Sequence, residues 1–182
     1  FDAFKRLMVE QDANNLYHLE TDGTGQVALL TSDKIAVVLT TGACTVATCA
    51  DHANLDALKN DADSPFVEVD NAITGYTTGG KIVSNCTWEN SSGTGYTNAG
   101  SFAYLTGDNV TWSSLAASTA IKGAVLYYCS TGTLGDDADD FTIAYFDFDA
   151  VPDGGDLILQ WGNAPGATSG VTGAKGVILK LG

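Results

Sequence analysis

The stretch from Ile121 to Val151, IKGAVLYYCSTGTLGDDADDFTIAYFDFDAV, constrains the fold more than any other part of the chain. Two apolar, aromatic runs, Ile121–Cys129 and Phe141–Phe148, flank a loop of glycine, threonine and the aspartates Asp136, Asp137, Asp139 and Asp140. Two such runs joined by a turn-rich loop predict a long antiparallel hairpin. Side chains alternate across a strand, so Tyr145 and Phe146 are expected on opposite faces of the second one.

The remaining chain offers partners for that hairpin. Val27–Leu30 and Ile35–Thr40 are β-branched runs, and IAVVLT is apolar on both faces, as a central strand would be. Short strands are predicted at Phe66–Val69, Lys81–Trp88 and Ser101–Leu105. Another ends at Trp112, and the last two cover Leu157–Trp161 and Ala174–Leu181. Asp12–Gly25 reads as a polar segment closing in the turn signal TDGTG. Asn54 can cap a helical turn or two over NLDALKNDA. At the N-terminus, Phe1, Phe4, Leu7 and Met8 fall at helical spacing and predict a short amphipathic helix over residues 1–11. Strands this closely spaced leave no room for helical crossovers. The expectation is one mostly β domain over residues 1–182. It would be an antiparallel β-sandwich or a related barrel, with the N-terminal helix covering one end of the core.

The formal charge of −14, from 22 acidic and 8 basic residues, repels nucleic acid and anionic membranes. Only 16 % of residues are charged, so the surface must be rich in Ser, Thr, Asn and Gly. That balance suits β-rich extracellular or virion proteins better than helical cytosolic enzymes. No apolar run of about 18 residues is present to form a membrane-spanning helix. Of the four cysteines, Cys44 and Cys49 lie in one small-residue loop and are candidates for a disulfide. A cross-strand Cys86–Cys129 bridge is a second candidate, and four reduced, mostly buried thiols are the alternative to both.

Candidate chemistry is sparse. The aspartates of GDDADDF have the oxygen ligands that Ca²⁺ takes, but not the spacing of a helix–loop–helix calcium site. They fit a solvated acidic hairpin tip. Asp147 and Asp149 share one face of a strand, and paired carboxylates can hydrolyse glycosides, yet nothing marks one as acid and the other as base. Cys44, Cys49 and His52 give three zinc-type ligands where a structural site needs four. No nucleophile elbow or phosphate-binding glycine loop is present. The Asn-x-Ser/Thr triplets at Asn85, Asn90 and Asn109 matter only in a secretory context. The clustered rings of Tyr127, Tyr128, Tyr145, Phe146, Phe148, Trp88, Trp112 and Trp161 read as core and cross-strand pairs, with sugar stacking as the alternative.

Several stretches carry a resemblance when taken in order: FDAFKRL, IAVVLTT, GYTTGGK, DNVTW, AIKGAVLYY, IAYFDFDA and LILQW. Together they resemble a group of small tailed-bacteriophage virion structural proteins, with GYTTGGK, DNVTW and IAYFDF the most telling. The cysteine loop and Asp12–Gly25 depart from that pattern. The resemblance implies a β-sandwich module without enzymatic activity or cofactor, displayed on a virion. It implies a homotrimer or other homo-oligomer, bound to the major capsid protein as a head decoration (cement) protein on the capsid surface. The alternative is a tail- or head-fibre module binding host glycans. Partner docking would fall to the helix bearing Phe1, Phe4, Leu7 and Met8 and to exposed strand edges.

Overall fold

The computed structural model describes residues 19–21, 27–29, 34–45, 52, 54–90, 103–129, 131–135, 140–162 and 176–181. In chain order the elements are β1 (Leu19–Thr21), β2 (Val27–Leu29), β3 (Lys34–Thr40), α1 (Leu55–Asn60), β4 (Lys81–Ile82) and β5 (Thr87–Asn90). They continue as β6 (Ala103–Gly107), β7 (Val110–Trp112), β8 (Ile121–Cys129), β9 (Phe141–Ala150), β10 (Leu157–Leu159) and β11 (Gly176–Leu181). Every strand pairing is antiparallel. The expected N-terminal helix, with Phe1, Phe4, Leu7 and Met8, lies outside the described residues.

The largest sheet has the order β4-β3-β8-β9. The hairpin expected from the sequence is its β8–β9 half. β3 runs beside β8 without a break in register, from Lys34↔Cys129 to Thr40↔Gly123. From Ile35 to Thr40 every residue of β3 is buried, as is nearly all of β8. Both strands are apolar on both faces because both faces are covered. The other sheets are β11-β6-β5 and the pairs β10-β7 and β1-β2. Leu105 from β6, Val110 and Trp112 from β7 and Trp161 beyond β10 join the residues of the large sheet in one hydrophobic core. One core is therefore shared between separate antiparallel sheets, the arrangement a sandwich requires.

β9 is the outer strand of the large sheet, and two register shifts break its ladder. Opposite Lys122 it carries Phe148 and Asp149, and between Leu126 and Tyr127 it gains Ile143. Such bulges increase local twist and are common at sheet edges. Tyr145 and Phe146 point to opposite faces, as expected. The Tyr145 ring lies across Gly123, where a Cβ would meet its Cε2 at 2.7 Å, and its hydroxyl donates to Lys122 O at 3.1 Å. Phe146 packs on Trp161 with ring centroids 5.6 Å apart. Glycine in a strand interior thus makes room for an aromatic neighbour.

The opposite edge, along β3, is closed by two short pieces instead of one strand. Thr41 N donates to Val67 O at 2.8 Å and Val69 N to Leu39 O at 3.1 Å, around a Thr40↔Glu68 bridge. Further along, β4 pairs Ala36 with Ile82, and Val83 N donates to Ile35 O at 2.8 Å. The expected strand at Phe66–Val69 is therefore only a bridge. The expected strand Lys81–Trp88 is corrected to two, β4 and β5, which belong to different sheets. Asn85 stands between them at φ 52°, a left-handed conformation that asparagine tolerates better than most residues. Its amide donates to Asp108 Oδ2 at 2.6 Å, and Asp108 N donates to Ser84 O at 2.9 Å. The polar stretch Asp12–Gly25 also holds a strand that its turn signal conceals, since β1 pairs with β2.

Asn54 caps α1 through Oδ1, which accepts from Ala57 N at 2.8 Å, and Leu55 and Leu58 are buried. The helix is docked at the start of β9: Leu55 N donates to Asp140 O at 2.7 Å and Asn54 bridges Phe141. Asn54→Ala is expected to cost about 1 kcal/mol in urea denaturation, the usual worth of such a cap.

Candidate functional site

Two of the stretches that carry the resemblance, GYTTGGK and AIKGAVLYY, meet in a half-buried polar framework around Glu68. GYTTGGK connects the two pieces that close the β3 edge. Glu68, in the first piece, binds across that connection. Its Oε1 accepts from the Tyr76 hydroxyl at 3.0 Å and from Gly79 N, and its Oε2 pairs with Lys59 Nζ from α1 at 2.7 Å. Both charged side chains are only 15 % exposed. Leu39 N donates to the Tyr76 oxygen at 3.3 Å, and the Tyr127 hydroxyl of β8 donates to Gly79 O at 2.6 Å. Burial, and then the Glu68 charge, push the Tyr76 phenol far above its ordinary value. A phenol held that way stays protonated and serves as a hydrogen-bond bridge. The framework joins helix, edge, turn and central strands, and its polar groups are directed at one another. Lys59, Glu68 and Tyr76 lie on separate elements and share no sequence period, so nothing along the chain signals that they meet.

DNVTW has a similar bracing role. Asp108 O accepts from Trp161 Nε1 at 2.6 Å and Asn109 Oδ1 from Trp161 N at 3.1 Å, tying the end of LILQW to the turn before β7. Lys81, closing GYTTGGK, donates from Nζ to Thr111 O at 2.6 Å.

The sequence-derived candidates distribute as follows. Asp136, Asp137 and Asp139 lie outside the described residues. Asp140 departs from the solvated-tip reading: it is buried, because its carbonyl anchors Leu55 at the entry to β9. Asp147 and Asp149 are exposed on β9, and Asp149 pairs with Lys122 Nζ at 2.6 Å. Neither lies in a buried, apolar pocket, and no second carboxylate is described facing them across a cleft. Cys44 is buried, while Cys49 lies outside the described residues. Cys86 and Cys129 are not bridged to each other. His52 Nε2 sits 2.8 Å from Asp61 Oδ2, a carboxylate partner rather than a zinc ligand set. Among the described residues no group of three or more His, Cys, Asp or Glu is placed to hold a metal ion. Tyr127, Tyr128, Tyr145, Trp112 and Trp161 are buried, with Phe146 and Phe148 packed against the core, so these rings present little face for a sugar. Among the described residues no helix is long and apolar enough to cross a membrane.

Asp61 gives a pH prediction. Its carboxyl is held below the ordinary 3.8, first by the Asp63 backbone N–H and then by the His52 side-chain hydrogen bond. A depressed folded pKa contributes stability above 3.8 that is lost as pH falls through the lowered value. Asp61→Asn is therefore expected to unfold at lower temperature than the parent above that pH. The gap should narrow on further acidification, as read from melting curves across acid pH.

No family model, no curated protein and no solved structure matches the chain.

Proposed function

We propose that the chain is a non-enzymatic bacteriophage virion structural protein, and more narrowly a decoration protein that seats on the outside of the head. The observation that carries this reading is the framework around Glu68 and Gly79. GYTTGGK, one of the three most telling stretches of the resemblance, is used there to tie an edge, a helix and a central strand together. DNVTW and LILQW brace a second point in the same way. The polar groups of both points are directed inward, as suits a structural module. Its partner would be the major capsid protein, and it would act as a homo-oligomer without cofactor. Stabilisation follows from mass action: a ligand that binds only the assembled shell favours it by RT ln(1 + [L]/Kd). An acidic protein is suited to a locally basic lattice surface.

The test is to image purified particles carrying an antibody or tag on this protein. Label spread over the head supports decoration. Label confined to the tail or to fibres sinks it and favours the host-recognition module, and absence from particles overturns the virion assignment itself. Heating particles with and without the protein adds a second readout, since a decorated head should release its genome at a higher temperature.

A further inference from the structure

We infer that the ribbon from Asp147 to Ile158 is the protein's docking surface, and that it fits a basic protein surface that also carries apolar side chains. Along this ribbon exposed side chains recur at short intervals: Asp147, Asp149, Val151, Asp153, Asp156 and Ile158. Val151 is 67 % and Ile158 47 % exposed, two of the four large hydrophobic residues so exposed among the described residues. Two large apolar side chains left in water on the same short ribbon as four exposed carboxylates give it both an apolar and a charged means of contact.

The ribbon is held rigid from below. Ser114 N donates to Asp156 Oδ1 at 3.1 Å, Leu115 N to Gly155 O and Gly154 N to Leu115 O, each at 2.9 Å. Leu157 pairs with Trp112, and Ala150 with Ile121. Ordering costs that oppose binding have therefore been met in folding. Charge decides the occupant. Four carboxylates lie along the ribbon, Lys122 is the cation described beside it, and the whole chain carries −14. A surface of lysine and arginine is complementary, whereas nucleic acid and anionic lipid are repelled. The proposal rests on the docking role given above only for the partner's identity; its chemistry can be tested without virions.

The full-length chain is titrated with a synthetic lysine-rich peptide carrying a leucine at its centre, followed by calorimetry. Binding is expected, weakening as salt screens the charges. Asp147→Asn, Asp149→Asn and Asp153→Asn together should weaken it about tenfold. Asp56→Asn, Asp63→Asn and Asp70→Asn together remove equal charge from exposed positions elsewhere, and should leave it nearly unchanged. Val151→Ser with Ile158→Ser should weaken it while leaving the melting temperature close to that of the parent. The inference is overturned if the parent does not bind, if the control set weakens binding as much, or if the serine pair has no effect. Particle imaging is read independently, so failure here leaves the virion assignment standing.

Discussion

Gly80→Ala is expected to destabilise the protein by about 3 kcal/mol or more, while Gly135→Ala costs about 1 kcal/mol. The two glycines have nearly the same backbone, φ 83° and φ 85°, so the left-handed strain of an added Cβ is shared. Their surroundings differ. At Gly80 a Cβ would collide with the Val37 carbonyl, 2.7 Å from its carbon and 2.8 Å from Val38 Cα. At Gly135 the nearest atom is Thr78 Cγ2 at 3.8 Å. The collision at Gly80 is with the backbone of a central strand, which cannot yield without breaking its pairing to β8. Urea denaturation of both variants reads the difference directly, and equal costs would refute this account of the turn.

Glu68→Ala is expected to cost about 3 kcal/mol, because it takes one carboxylate away from three donors, Lys59, the Tyr76 hydroxyl and Gly79 N, in a poorly solvated place. Removing both members of a half-buried ion pair is milder than removing one. Lys59→Met added to Glu68→Ala should thus recover part of the loss, and the double-mutant cycle gives the coupling. A cost for Glu68→Ala below about 1 kcal/mol would mean that water replaces the carboxylate, and that the framework does not hold the edge.

These two sites mark the boundary of what the residues alone disclosed. β8 and β9 were legible because their apolar runs are long and their loop is rich in turn formers. IAVVLT was legible as a central strand because it is apolar on both faces, and Asn54 because caps obey a local rule. Glu68 was not legible. Its partners are Lys59, Tyr76 and Gly79 on other segments, and tertiary structure alone unites them. The split of Lys81–Trp88 at Asn85 escaped for a related reason. The run is β-prone throughout, and its break is imposed by Asp108, more than twenty residues later. The bulges of β9 likewise answer to β8, since Lys122 faces two residues. The exposed ribbon was not legible because LIL is apolar at every position and nothing along the chain marks Ile158 as the one that faces water.

The two borders of the large sheet have a shared consequence. A straight, open strand border invites another chain to add a strand, and repeated addition yields fibrils. Here one border is broken by two bulges and carries Asp147 and Asp149. The other is divided into 67–69 and 81–83, with a folded turn in between. Neither offers an incoming strand an uninterrupted template. Many copies of such a molecule can be crowded together at high local concentration without their main sheets fusing into continuous β-structure.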